Sequence, residues 1–177
     1  MNALAVLALA TALAPGTTLA DDTARASYVR EHLVAWRIGW ALWIAAAASL
    51  LLFYASWSTR VRAARGVLAI ALVGFVSDII AESVLIAVAP ERPELAPPAF
   101  FLTGAVANGA YTIAGIALSL RSALRGATVW WTAVIWTAGI AVSAFAALGV
   151  PLGVALSTAI LFALFLPWLI VVGRRLS

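Results

Sequence analysis

Apolar residues run through this chain in blocks of roughly 20 or more positions that are nearly free of charge, separated by short polar stretches. Each block is long enough to cross a bilayer as a helix. The pattern predicts five spans, at residues 33–57, 66–89, 99–120, 127–148 and 152–172. The breaks carry their own signals. Residues 58–65 (STRVRAAR) form a compact basic loop, and residues 90–98 (PERPELAPP) hold four prolines, which predicts an extended, stiff connection. Gly149-Val150-Pro151 predicts a tight turn with Pro near the first helical position.

Upstream of the first span the pattern differs. Residues 2–14 are apolar, Pro15-Gly16 marks a turn, and small residues precede Asp21-Asp22. This arrangement predicts a secretory signal peptide, residues 1–20, cleaved after Ala20. The n-region carries no Lys or Arg, so a retained short helix is the alternative. Residues 21–32 are a polar lead-in, and residues 21–177 form a single transmembrane domain.

Composition rules out a soluble protein. Of 177 residues, 65% are hydrophobic and 10% charged, with a mean hydropathy of +1.08. A soluble domain has roughly 45–50% apolar and about 25% charged residues. The expected fold is an all-α membrane protein, a polytopic bundle of five transmembrane helices plus an N-terminal signal peptide or short sixth helix. No repeat relates the spans, and they do not pair as inverted halves, so a duplicated transporter architecture is not supported.

All 11 basic residues are Arg, and their placement is a topology signal. Arg60, Arg62, Arg65, Arg121, Arg125, Arg174 and Arg175 collect on one side; Arg25, Arg30, Arg37 and Arg92 lie on the other with five acids. The richer side faces the cytoplasm. The expectation is a multi-pass protein of a bacterial plasma (inner) membrane, C-terminus cytoplasmic and mature N-terminus outside. These arginines sit at segment ends, not in a patch with exposed aromatics, so no nucleic acid is expected as a partner. The absence of Cys excludes disulfides, thiolate metal sites and cysteine nucleophiles. A single His, His32, excludes bis-His haem and argues against zinc or an intramembrane Ser-His-Asp triad. No metal site and no cofactor are expected.

The chemistry concentrates in Asp78 and Glu82, the only acids in any span. An ionised Asp at a span centre costs about 2.5–3.5 kcal/mol on the insertion scale, so such groups face a bundle interior or watery cavity. Four residues apart, the two share a helix face with Gly74. They cannot both ionise cheaply in a low dielectric, which suits proton handling, binding of a cation or amine, or acid/base work. In the next span Gly104, Asn108, Thr112, Gly115 and Ser119 form a stripe of small and polar residues expected to pack against that face. Counted from the outer surface, Asn108 (about 15 Å deep) lies level with Asp78 (roughly 16 Å), and Tyr111 is nearby. Arg37, about 6 Å inside the first span, is expected to reach toward Glu82. Asp78–Asn108 and Arg37–Glu82 would then be pairs that fix helix register, the purely structural reading.

The first span carries an aromatic seam, Trp36, Trp40, Trp43, Tyr54 and Trp57. Trp36 and Trp57 are expected as interfacial anchors, and Trp43 as a wall beside the acids. Trp130, Trp131 and Trp168 read as belt residues; Trp136 and Thr137 are placed to line the interior. Pro167 should kink the last span, and His32 lies in solvent.

The leading functional expectation is an intramembrane acidic site that binds or moves a small ligand, proton or cation. Asp78 and Glu82 act as counter-charge, Asn108 and Tyr111 orient the ligand, and Trp43 and Arg37 complete the set. The partners are the bilayer and a small hydrophobic or cationic ligand. Two alternatives stand beside it: a structural subunit assembled with partner membrane subunits, and an acid/base enzyme acting on a lipid-soluble substrate. No catalytic residue is assigned.

Overall fold

In hydrocarbon no water satisfies the backbone, so a spanning chain closes its hydrogen bonds within helices. This chain does so. The structure, a computed structural model, describes residues 2–19, 21–61, 65–122 and 124–176. The expected cleavage position Ala20 and the basic-loop residue Arg62 lie outside the described residues.

The chain opens with α1 (Asn2–Ala8), a π-helical turn Leu9–Leu13 and α2 (Ala14–Thr18). Next come α3 (Asp22–Glu31), α4 (Leu33–Arg60) and α5 (Arg65–Ala87). A continuous rod, Pro93–Arg121, is built from a 3-10 turn (Pro93–Leu95), α6 (Ala96–Phe101), a π-helical segment (Leu102–Ala107) and α7 (Asn108–Arg121). The chain ends in α8 (Ala127–Ala147) and α9 (Pro151–Leu176). Among the described residues, five helices are long and apolar enough to span a membrane: α4, α5, the Pro93–Arg121 rod, α8 and α9. The protein is an all-α polytopic bundle.

Two connections differ from expectation or refine it. Residues 90–98 are not extended. Pro93 opens the 3-10 turn, and Pro97 and Pro98 occupy the first turn of α6. At these positions the missing proline N–H would have had no intrahelical acceptor, so the prolines start the helix. The turn at Gly149 is as expected. Gly149 takes φ 65°, Val150 N–H donates to Phe145 O (2.9 Å) and Gly149 N–H to Ala146 O (3.2 Å). This is a Schellman closure of α8, after which Pro151 opens α9.

Neighbouring helices pack in sequence, α4 on α5, α5 on the rod, the rod on α8, and α8 on α9. The circle closes between α9 and α4 through aromatic side chains near the arginine-rich end. There Trp168 meets Trp57 edge-on (5.4 Å between ring centroids), Phe53 (6.3 Å) and Trp136 (5.9 Å). Toward the opposite end, where α4 and α9 begin, the N-terminal helices lie against both. Leu13 is fully buried there, its tip against Gly39, and Tyr28 Oη donates to Ala12 O (2.9 Å). Residues 21–32 are thus more than a solvated lead-in: α3 buries Arg25, Ala26 and Val29 beneath this N-terminal contact.

Tryptophan indoles bind the helices together. Trp36 Nε1 donates to Leu85 O (2.8 Å), Trp57 to Ser122 Oγ (2.8 Å), and Trp131 to Leu164 O (3.1 Å). Trp136 donates to Ser119 Oγ (2.8 Å) and Trp168 to Thr132 Oγ1 (2.7 Å). Trp36, Trp57 and Trp168 are therefore not lipid-facing anchors; each is at most 1% exposed. Lipid gives helices no hydrophobic reason to associate, so packing and interhelical hydrogen bonds carry that task. An indole supplies both. Trp130, 77% exposed, keeps the surface position expected of a belt residue. His32 is exposed and stacks on Tyr28, and α9 runs helical through Pro167.

Candidate functional site

The inner faces of the helices and the N-terminal segment line a partly open cavity of about 640 Å³. Its walls are mostly apolar. Trp40, Trp43 and Tyr54 come from α4, Phe162 and Phe165 from α9, and Leu9 and Ala14 from the N-terminal segment. Asp78 is set into this wall.

Asp78 is 3% exposed and Glu82 fully buried, so both acids point inward, as their cost in lipid requires. Their surroundings differ. Asp78 Oδ1 accepts a 2.6 Å hydrogen bond from Thr103 Oγ1, on the π-helical segment of the rod. The Tyr111 hydroxyl adjoins the same carboxylate. Glu82, one turn away and behind the cavity wall, has no hydrogen-bond partner for either oxygen among the described residues. Neither acid forms an ion pair with an arginine among the described residues.

The expected register pairs are therefore not formed. Arg37 is exposed and its Nε donates to Ile86 O (3.2 Å), so it caps backbone at the C-terminal end of α5 and leaves Glu82 alone. Asn108 does line the cavity, yet its amide donates to Gly139 O and Ser143 Oγ, both at 2.8 Å on α8.

Asn108 is one part of a larger correction. The whole stripe expected against α5 packs on α8. A Cβ at Gly104 would lie 2.8 Å from Ala146 Cβ, and one at Gly115 only 2.2 Å from the Trp136 ring. Gly139 of α8 in turn would meet Thr112 Oγ1 at 2.5 Å. Against α5 stands the stripe one residue earlier. A Cβ at Gly74 would lie 3.0 Å from Ala107 O and 3.0 Å from the Tyr111 ring, and Thr103 holds Asp78. Adjacent stripes on one helix are about 100° apart, so a rod between two neighbours presents one to each. Thr103, missed from the sequence, belongs to the series Thr103, Ala107, Tyr111 at fourfold spacing. That series is the sequence signal that would have placed Thr103 on the α5 face.

Of the other expected residues, Trp43 lines the cavity and meets Phe162 edge-on at 5.5 Å. Trp136 lines it too, whereas Thr137 is exposed and bonds back to Ala133 O. Two further residues join the site unexpectedly. Trp40 is buried and lines the cavity, but its indole N–H has no acceptor among the described residues. Arg25, 7% exposed, also lines it, ion-paired with Asp22 of the same lining. Among the described residues no three His, Asp or Glu converge to hold a metal. Chemically the site offers the Asp78 carboxylate beside the Thr103 and Tyr111 hydroxyls, on a lining that is mostly aromatic and aliphatic. No family model, curated protein or solved structure matches this chain.

Proposed function

We propose that this chain binds a small, largely apolar molecule within the membrane and reads it through a hydrogen-bond donor or cationic group placed against Asp78. The observation that carries this is the polar inventory of the cavity wall. Elsewhere in the bundle, five indole N–H groups each tie one helix to another. At the cavity, the Asp78 carboxylate is set among apolar and aromatic residues with no ion-pair partner among the described residues, and the Trp40 indole N–H has no acceptor among them. Buried polar groups are rarely left unsatisfied, and where they border a cavity a guest can satisfy them. Thr103 engages Oδ1 of Asp78 and the Tyr111 hydroxyl adjoins the same carboxylate, so the guest's donor would share it with them. The aromatic surface of Trp43 and Tyr54 suits a flat or cationic group.

In this reading the N-terminal helix is retained, since Val6, Leu9 and Ala10 are part of the lining. The arginine-rich loops face the cytoplasm of a bacterial inner membrane. Asp78 acts as counter-charge, and Glu82 stands behind it. The site favours this reading over a two-acid enzyme. Only one of the acids reaches the cavity, and a donor–acceptor pair of acids would need both.

The test is titration of the full chain in lipid nanodiscs with dodecylamine and with dodecane, read by tryptophan fluorescence. Dodecylamine should bind tenfold or more tighter than dodecane, and Asp78→Asn should remove that difference while hydrocarbon binding persists. Equal binding of dodecylamine by both proteins would refute the role of Asp78.

A further inference from the structure

The acids of the chain leave one end of the molecule without any. Asp21, Asp22, Glu31, Glu91 and Glu94 flank the spans at the end where α4 begins, and Asp78 and Glu82 lie within α5. The opposite end carries Arg60, Arg62, Arg65, Arg121, Arg125, Arg174 and Arg175 and no Asp or Glu. Arg60, Arg65, Arg121, Arg125 and Arg174 are exposed there. Positive charge gathered at a membrane surface without acids to offset it attracts anions.

One of these arginines also borders a recess. Phe53, Ser56, Trp57 and Arg60 of α4, with Gly173 of α9, line an open groove of about 90 Å³ between the C-terminal ends of the two helices. A water's share of liquid volume is about 30 Å³, so the groove has room for a phosphate-sized group. Arg60, in the last turn of α4, has no hydrogen bond or ion pair among the described residues. Ser56, one turn earlier, is exposed on the same side and carries a hydroxyl that can donate. Beneath them the wall is aromatic and already satisfied. Trp57 is 1% exposed, gives its indole N–H to Ser122 Oγ, and packs on Phe53 with 5.4 Å between ring centroids. A Cβ at Gly173 would meet nothing within 4 Å, so no packing closes the groove on the α9 side.

We propose that this groove is a phospholipid site selective for a headgroup of net negative charge. The phosphodiester is received by the Arg60 guanidinium with the Ser56 hydroxyl beside it, and the acyl chains follow the seam between α4 and α9 over Phe53. A guanidinium matches phosphate oxygens with two parallel N–H bonds. The charge balance of this end selects among phospholipids. A zwitterionic headgroup brings its own ammonium among the arginines, where no Asp or Glu receives it; an anionic headgroup brings none. The groove also separates this site from the diffuse attraction of the whole end, to which every arginine there contributes alike.

The experiment is native mass spectrometry of the full chain in detergent micelles, titrated with phosphatidylglycerol and with phosphatidylcholine of the same acyl chains. The first phosphatidylglycerol should bind roughly fivefold tighter than the first phosphatidylcholine, the scale of one arginine at an anionic surface. Arg60→Gln should bring phosphatidylglycerol down to the affinity of phosphatidylcholine. Gly173→Leu keeps every charge but fills the groove, and should weaken the first phosphatidylglycerol by a similar factor. Arg125→Gln removes the same charge at the same end from a residue outside the groove lining, and should leave the preference in place. Equal binding of the two lipids by the unaltered protein overturns the proposal. Equal loss in Arg60→Gln and Arg125→Gln, or an unchanged preference in Gly173→Leu, overturns it too, in favour of diffuse attraction. Soluble glycerol phosphate binding as tightly as phosphatidylglycerol would make this a phosphate site and overturn the lipid assignment. The groove shares no lining residue with the Asp78 cavity, so each of these outcomes leaves that reading standing. The comparison of the two lipids needs no variant, so poor folding of Arg60→Gln does not shelter the proposal.

Discussion

Glu82 gains nothing from the residues around it: fully buried, it has no hydrogen-bond donor on either oxygen among the described residues. An unsatisfied buried polar group costs about 1–3 kcal/mol. Glu82→Met, of similar volume and no polarity, should therefore raise the thermal midpoint in detergent, and a lower midpoint would mean that Glu82 has a partner in solution. Tryptophan offers a sharper contrast. Trp168→Phe removes the 2.7 Å bond to Thr132 and should cost about 0.6–1.7 kcal/mol, the range of interhelical hydrogen bonds in membrane bundles. Trp40→Phe removes an N–H that has no acceptor among the described residues, so it should cost less than Trp168→Phe, the difference being the hydrogen bond. Paired melting curves check both.

At the level of elements, the rod Pro93–Arg121 decides the architecture because it faces two helices at once. Its α8-facing stripe is the tighter contact, and Gly139 is its narrowest point. A Cβ there would lie 2.5 Å from Thr112 Oγ1 and 3.2 Å from Thr112 Cγ2. Gly139→Ala should then destabilise by about 1–3 kcal/mol, the usual cost of overpacking. Gly66→Ala is the matched control. It also lies in a helix, but a Cβ there would meet nothing within 4 Å, so the substitution should be neutral or add up to about 1 kcal/mol. Equal effects at the two glycines, measured by thermal melts, would mean that close approach of the rod and α8 is not what Gly139 provides. The π-helical segment Leu102–Ala107 belongs to the same element and carries Thr103, the residue that holds Asp78. Such segments often occur at functional sites.

For the molecule as a whole, the N-terminal helices complete the cavity wall between α4 and α9. Leu13, buried against Gly39, is the residue that docks them. Leu13→Ala should cost about 2–5 kcal/mol, the cost of emptying a buried leucine site, and should weaken binding of amphipathic probes. A melting midpoint and probe affinity both unchanged would show that this segment stands apart from the bundle in the membrane.

Several things were legible in the chain itself. Five spans follow from block length and hydropathy, because helices are the only open-ended structure that lipid tolerates. That Asp78 and Glu82 turn inward follows from the cost of charge in hydrocarbon. The Schellman turn at Gly149 follows from local backbone preference. Which neighbour each face meets did not follow. Two parallel stripes on one rod, separated by a single residue, look equally apt for either partner, and only assembly of all five helices assigned Thr103 to α5 and Asn108 to α8. The same holds for Arg37 and Arg25. Sequence distance from the acids favoured the first, yet the fold turns Arg37 outward and folds Arg25 in over Phe100. A contact between distant segments depends on where whole helices come to rest, and that is set by the sum of packing across the bundle and by no single stretch of residues.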